Sequence, residues 1–218
     1  STEEIEKKCL SSFDLGLYRF LYPDHLTLSK GLMEDVCRNG NLDLVKWLRS
    51  KGCPWQKRIC ETAVSDGRME LLQWARSDPL DPCPWDEWTC AYAAESGHLE
   101  RLKFVRFQGC PWDKYTCAWA ASGGYLEVLQ WARSDPLNPC PWDERTCSYA
   151  AYEGHLELLQ WAVKNGCPYD ENTCEYAAKN EKLEVLQWAI ENGCPYDIDK
   201  LKSIAKNHPL ILEYLDTL

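Results

Sequence analysis

The sequence predicts an all-α solenoid built of short helix–turn–helix units. The first observation behind this is a Cys-Pro-Trp triplet that begins at Cys53, Cys83, Cys110 and Cys140. It returns as Cys-Pro-Tyr at Cys167 and Cys194, in steps of 30, 27, 30, 27 and 27 residues. Self-similarity at a period of roughly 20–50 residues marks a repeat array, in which each unit buries its apolar face only against its neighbours. The second observation is that every unit holds two segments with helical apolar spacing, joined by a glycine turn. The unit fills the chain from about residue 32 to 199 as six repeats. Residues 1–31 and 200–218 depart from the pattern and read as caps.

The elements follow in order from one copy. The first helix starts near Asp143 or Thr146, residues suited to a helix N-terminus. It ends at Gly154, since glycine tolerates the left-handed conformation that closes helices. The second helix spans about His155 to Lys164, with Leu156, Leu159 and Ala162 on one face. Leu158 and Trp161 widen that stripe, as a helix touching two neighbouring repeats requires. Asn165-Gly166 stops the helix and Pro168 cannot continue it. The same turn recurs at Gly40, Gly67, Gly97 and Gly124, with Glu181 departing in the last full unit. The 30-residue copies carry Ser77-Asp78-Pro79-Leu80-Asp81-Pro82 and Ser134-Asp135-Pro136-Leu137-Asn138-Pro139, which lengthen a loop and leave both helices intact. Phe13, Leu17, Phe20 and Leu21 would seal the first repeat. Leu201 replaces a helix cysteine, Asn207-His208-Pro209 replaces the glycine turn, and Leu210 to Leu215 would close the stack.

Composition bounds the function. A hydrophobic fraction of 45% suits a folded chain, and a net charge of −10 argues against nucleic acid and anionic membranes. There is no run of 18 apolar residues, so membrane insertion is not expected. The acidic start Ser1-Thr2-Glu3-Glu4 does not read as a secretory signal. Thirteen cysteines could form a disulfide framework, but the count is odd and a repeat stack needs no staples. Free thiols in a reducing intracellular compartment, cytoplasmic or nuclear, are the expectation.

Three patterns invite chemistry. Cysteines pair at seven-residue spacing as Cys53/Cys60, Cys83/Cys90, Cys110/Cys117, Cys140/Cys147 and Cys167/Cys174. Thiolates can ligate metal or sense redox state, which gives the alternative reading of a thiol protein. The spacing is unlike a close zinc knuckle, and the favoured reading makes each cysteine a small core residue. The aromatics Trp55, Trp85, Trp112, Trp142, Tyr169 and Tyr196 could form an exposed ladder. Because the position is filled alike in every copy, it is read as a roof between repeats. His98 and His155 sit beside glycine turns, and no catalytic motif accompanies them. The repeating Glu70, Glu100, Glu127, Glu157 and Glu184 read as solvated helix ends, and Arg101, Lys103 and Arg106 as one exposed helix side. No catalytic, metal or cofactor site is assigned, and the chain is not expected to be an enzyme.

The segment Thr89-Cys90-Ala91-Tyr92-Ala93-Ala94-Glu95-Ser96-Gly97-His98-Leu99-Glu100 resembles the ankyrin line Thr-Pro-Leu-His-x-Ala-Ala-x-x-Gly-His-Leu-Glu. Gly109-Cys110-Pro111-Trp112-Asp113 stands where that family has Gly-Ala-Asp-Val-Asn. Family repeats run to about 33 residues and include a β-hairpin finger. Gly166 to Thr173 is too short for one, so the resemblance implies an ankyrin-like solenoid without fingers. Short Cys-Pro-Trp-rich arrays of this kind look like those of algal and giant-virus proteins.

The resemblance also implies that the first helix and its leading loop line a concave groove. Comparing the copies within this chain then points to a face, because positions that differ between copies are free of the duty to hold the stack. The residue before the helix-one threonine varies most: Arg58, Trp88, Tyr115, Arg145 and Asn172. Further variation falls at Ala91, Ala118 and Ser148. Trp, Tyr and Arg are the types enriched at binding hot spots. The expectation is a non-catalytic interaction module that binds a protein partner through these eight residues, with Trp88, Tyr115 and Arg145 side by side.

Overall fold

The computed structural model describes residues 32–77 and 81–218. The cap expected at 1–31 lies outside the described residues, as do residues 78–80 of the first long loop. Among the described residues the chain forms fourteen α-helices and one short 3-10 helix, with no strand. Two compact units divide at Trp85. The first contains α1 (Leu32–Asn39), α2 (Leu42–Ser50), α3 (Arg58–Ser65) and α4 (Met69–Arg76). The second, Asp86–Leu218, runs α5 (Glu87–Glu95), α6 (Leu99–Phe107), α7 (Lys114–Ser122), α8 (Leu126–Arg133), α9 (Glu144–Glu153), α10 (Leu156–Lys164), α11 (Glu171–Lys179) and α12 (Leu183–Glu191). It closes with α13 (Ile198–Ile204), the 3-10 helix Ala205–Asn207 and α14 (Pro209–Leu215). Each unit is a stack of helical hairpins. No helix among the described residues is long and apolar enough to cross a membrane.

Local chemistry sets the helix starts. Asp86, Asp113, Asp143 and Asp170 each sit in extended backbone and accept a hydrogen bond from the backbone N–H two residues on, at 2.9–3.1 Å. This satisfies one orphan donor at the start of every first helix of the second unit. The turns close in the left-handed region, at φ +71° for Gly97, +72° for Gly124 and +92° for Gly154. Glu181 takes the same role without being glycine, at φ +58°.

The first helices carry small inward residues, and this shapes the second unit. Thr89, Cys90, Ala93 and Ala94 are buried, and the same pattern recurs down α7, α9 and α11. Small side chains let α5, α7, α9 and α11 pack directly against one another. The second helices bury larger residues, Leu102, Val105, Leu129, Leu159 and Leu186, and touch each other much less. Within this unit the first helices therefore pack more closely along the stack than the second helices do.

All twelve described cysteines are buried thiols outside any disulfide, in keeping with their reading as small core residues. Their partners are not the ones that sequence spacing suggests. A helix cysteine meets the loop cysteine of the following repeat: Cys60 Sγ lies 3.7 Å from the Cys83 carbonyl, Cys90 Sγ 3.8 Å from that of Cys110, and Cys117 Sγ 3.7 Å from that of Cys140. Loop thiols reach backwards. Cys110, Cys140, Cys167 and Cys194 donate to the carbonyls of Asp86, Asp113, Asp143 and Asp170 at 3.2–3.5 Å. Each of these loop thiols thus ties its repeat to the cap of the preceding first helix.

The tryptophan of the triplet roofs the junction between repeats, as expected, but an arginine holds it there. Arg49, Arg76, Arg106 and Arg133, near the ends of second helices, donate to the carbonyls of Cys53, Cys83, Cys110 and Cys140 at 2.6–2.7 Å. Their guanidinium groups lie 3.8–4.5 Å from the ring centres of Trp55, Trp85, Trp112 and Trp142. Trp55, Trp112 and Trp142 meet the second-helix Trp74, Trp131 and Trp161 edge-on. Arg106 is therefore not part of an exposed basic helix side. It is half-buried against Trp112, while Lys103 pairs with Glu100 at 2.7 Å.

Candidate functional site

The solvent-facing stripe of each first helix follows from helical geometry. With positions 89, 90, 93 and 94 turned inward, positions 88, 92 and 95 share the opposite edge, at i, i+4 and i+7. The stripe reads Trp88, Tyr92 and Glu95 on α5, then Tyr115, Trp119 and Ser122 on α7. It continues as Arg145, Tyr149 and Tyr152 on α9, then Asn172, Tyr176 and Lys179 on α11.

Neighbouring stripes interlock. The Trp88 and Tyr115 rings stack at 5.1 Å between centres, 24° from parallel. Trp119 packs on Trp88 at 5.3 Å and meets Tyr92 edge-on at 4.9 Å. The Arg145 guanidinium lies 5.0 Å from the centre of the Tyr115 ring. Further along, Tyr152 and Tyr176 meet edge-on at 5.9 Å. Trp88, Tyr115 and Arg145 therefore stand side by side on one surface, each half-buried with its free edge in solvent.

Charges on this face are mostly spent internally where they are positive. Lys114 Nζ sits 3.1 Å from Asp143 Oδ2, and Arg145 Nε 4.0 Å from the same oxygen. Lys200 is paired with Glu175. Glu87 and Glu95 on α5, and Glu144 and Glu153 on α9, engage no ion pair among the described residues.

The eight sequence-picked residues separate. Trp88, Tyr115, Arg145 and Asn172 lie on the stripe. Arg58 is exposed at the start of α3, in the first unit. Ala91 and Ala118 are fully buried and Ser148 is 3% exposed, so these three leave the candidate surface. Their side chains end at the first or second atom, below the level of the rings one turn away. The same position holds Glu61 and Glu175 in other copies, so it varies in size while staying largely shielded from solvent. Sequence reasoning missed Tyr92, Trp119, Tyr149 and Tyr176. They are aromatic in every copy of the second unit, and a rule that gives constant positions to the stack passes over them. The signal was available in their i+4 spacing from 88, 115, 145 and 172.

Residues 147–190 match the family model described as ankyrin repeats (many copies). With its helical hairpins and no strand among the described residues, the array is ankyrin-like. No curated protein matches this chain.

Proposed function

We propose that this ankyrin-like array is a non-catalytic interaction module that binds a protein partner through the first-helix face of its second unit. Ankyrin repeats are generally protein–protein interaction modules, which supports the class of function. The observation that carries the assignment of the face is the continuous Trp88–Tyr115–Arg145 ladder with Trp119 behind it. Rigid aromatic rings flanked by arginine are the groups that dominate interface energetics. They lie on the closely packed first-helix side of the stack, where a partner meets several repeats at once. The buried thiols suit an intracellular reducing compartment.

The experiment is affinity capture of partners from native extract by the full chain, compared with Trp88→Ala/Tyr115→Ala. Partners bound by the parent should fall about tenfold or more with the double variant, the loss typical of hot-spot residues. The variant gives up a stacked pair and should soften the fold by about 1–2 kcal/mol, leaving it folded at working temperature. Retention of every partner by a folded double variant would discard the assignment of this face.

A further inference from the structure

We infer that the partner segment this face accepts is a basic, arginine-bearing polypeptide. The inference rests on the reading just given and adds the chemistry of the occupant.

The argument begins with where the charge lies. Residues 86–218 hold 21 carboxylates against 12 Lys and Arg, so this unit carries −9 of the −10 total. Its cations are largely consumed inside the fold. Arg106 and Arg133 turn onto Trp112 and Trp142, Lys114 and Arg145 serve Asp143, and Lys200 serves Glu175. What faces solvent around the rings is the reverse. Glu95 lies on the stripe of α5 and Glu153 follows Tyr152 at the end of α9, both exposed and without ion pairs among the described residues. The Trp88, Tyr92, Tyr115 and Trp119 rings share this face.

A π face framed by carboxylates is complementary to a cation that is flat and weakly hydrated. Arginine satisfies both requirements. Its guanidinium stacks on aromatic faces and pairs with a carboxylate through two parallel hydrogen bonds, whereas lysine offers one compact, strongly hydrated charge. The chain displays the same chemistry internally. Four of its own arginines lie on tryptophan rings, and Arg145 lies over Tyr115 on this very surface. An acidic segment would face repulsion from the exposed carboxylates of Glu95 and Glu153. A purely apolar one would bury them unpaired, which costs far more than an aromatic contact returns. The net charge also draws a basic segment in from a distance, at a rate that falls with salt.

The test is tryptophan fluorescence on the full chain, titrated with three peptides: alternating Arg–Ala, Lys–Ala and Glu–Ala decamers. The Arg–Ala peptide should quench saturably, bind roughly tenfold tighter than Lys–Ala, and weaken as salt rises. Glu–Ala should not bind. Glu95→Gln/Glu153→Gln, which leaves the rings in place, should weaken the Arg–Ala peptide about tenfold with an unchanged melting temperature. Failure of Arg–Ala to saturate, equal binding of Arg–Ala and Glu–Ala, or full affinity in the Gln double variant would each overturn the inference. The two readings fail separately. A native partner that needs Trp88 and Tyr115 but presents an acidic or neutral segment sinks the basic occupant and leaves the face standing. Arg–Ala binding indifferent to Trp88→Ala/Tyr115→Ala puts the peptide elsewhere and sinks the basic occupant of this face, while the face itself stands or falls on the capture from native extract.

Discussion

At position 181 a glutamate occupies the left-handed turn that every other repeat gives to glycine, with φ +58°. A residue with a Cβ pays about 1 kcal/mol to stand there. The turn is kept because its neighbours demand it: Lys182 N bonds back to Ala177 O at 2.9 Å, closing α11 as the glycine copies close theirs. The Glu181 carboxylate lies 2.7 Å from His208 Nδ1. Two substitutions separate strain from contact. Glu181→Ala loses the His208 pairing and retains the backbone strain. Glu181→Gly loses the pairing and relieves the strain. Thermal melts should therefore rank Glu181→Gly above Glu181→Ala by about 1 kcal/mol. Equal stability would mean that the turn is unstrained. This residue was legible as a departure from a repeated glycine, and its conformation followed from its place in the repeat. Ala91, Ala118 and Ser148 were misplaced onto the surface for a related reason. Variation between copies reports freedom from one constraint and not exposure: this position ranges over Glu61, Ala91, Ala118, Ser148 and Glu175, and the first four are buried.

Among the elements, the loop joining a second helix to the next first helix shows what the sequence concealed. The helices were readable from glycine turns, apolar spacing and the aspartate before each first helix. The fixing of the loop was not, because it depends on an arginine that looks like surface charge in a helical projection. Arg106 bends back to bond the Cys110 carbonyl at 2.7 Å and covers the Trp112 ring at 4.0 Å. The chain does record this in its copies. Arg49, Arg76, Arg106 and Arg133 accompany Trp55, Trp85, Trp112 and Trp142, while Val163 and Ile190 accompany Tyr169 and Tyr196. Where the arginine is gone, the Tyr169 hydroxyl secures the loop itself, donating to Asn192 O at 3.1 Å. Arginine and tryptophan thus form one device. Trp112→Ala should cost about 3 kcal/mol, as a large truncation at a half-open junction. A double-mutant cycle of Arg106→Met and Trp112→Leu should return a coupling of about 1 kcal/mol, the cation–π share at partial burial. Chemical denaturation of the four proteins measures it. Strict additivity would reduce the guanidinium to a ligand of the Cys110 carbonyl alone.

Across the molecule as a whole, the recurring cysteines make stability sensitive to alkali. Burial pushes the Cys37 thiol up to about 12, with Cys60, Cys53 and Glu34 adding to the shift. Cys90, Cys147 and Cys174 are raised as well, first through the hydrogen bond each makes to the loop cysteine of the following repeat and then through burial. Cys140 is raised by burial first, whereas Cys194 is lowered by its hydrogen bond with Cys174 and does not share in the effect. A reactive or metal-ligating thiol is held as thiolate, so these shifts work against the thiol-protein alternative. They also fix the sign of a pH effect. A thiol whose folded pKa exceeds its unfolded value near 9 keeps its proton in the folded state after the unfolded chain has released it. Its contribution is fully present below about pH 9 and is lost as pH rises toward the folded value, at ~1.4 kcal/mol per pH unit for each group. Stability in reductant should therefore be level from about pH 7 to 8.5 and fall steeply above 9. Cys37 isolates one share of that loss. Cys37→Ala removes buried atoms and should cost about 1–2 kcal/mol at neutral pH. Alanine has no proton to lose, however, so the gap between parent and variant should narrow through pH 9 to 11, where the parent forfeits the stability its thiol supplied. Urea midpoints for both proteins across that range decide the point. A gap that stays constant with pH would mean that Cys37 ionises as it does in the unfolded chain.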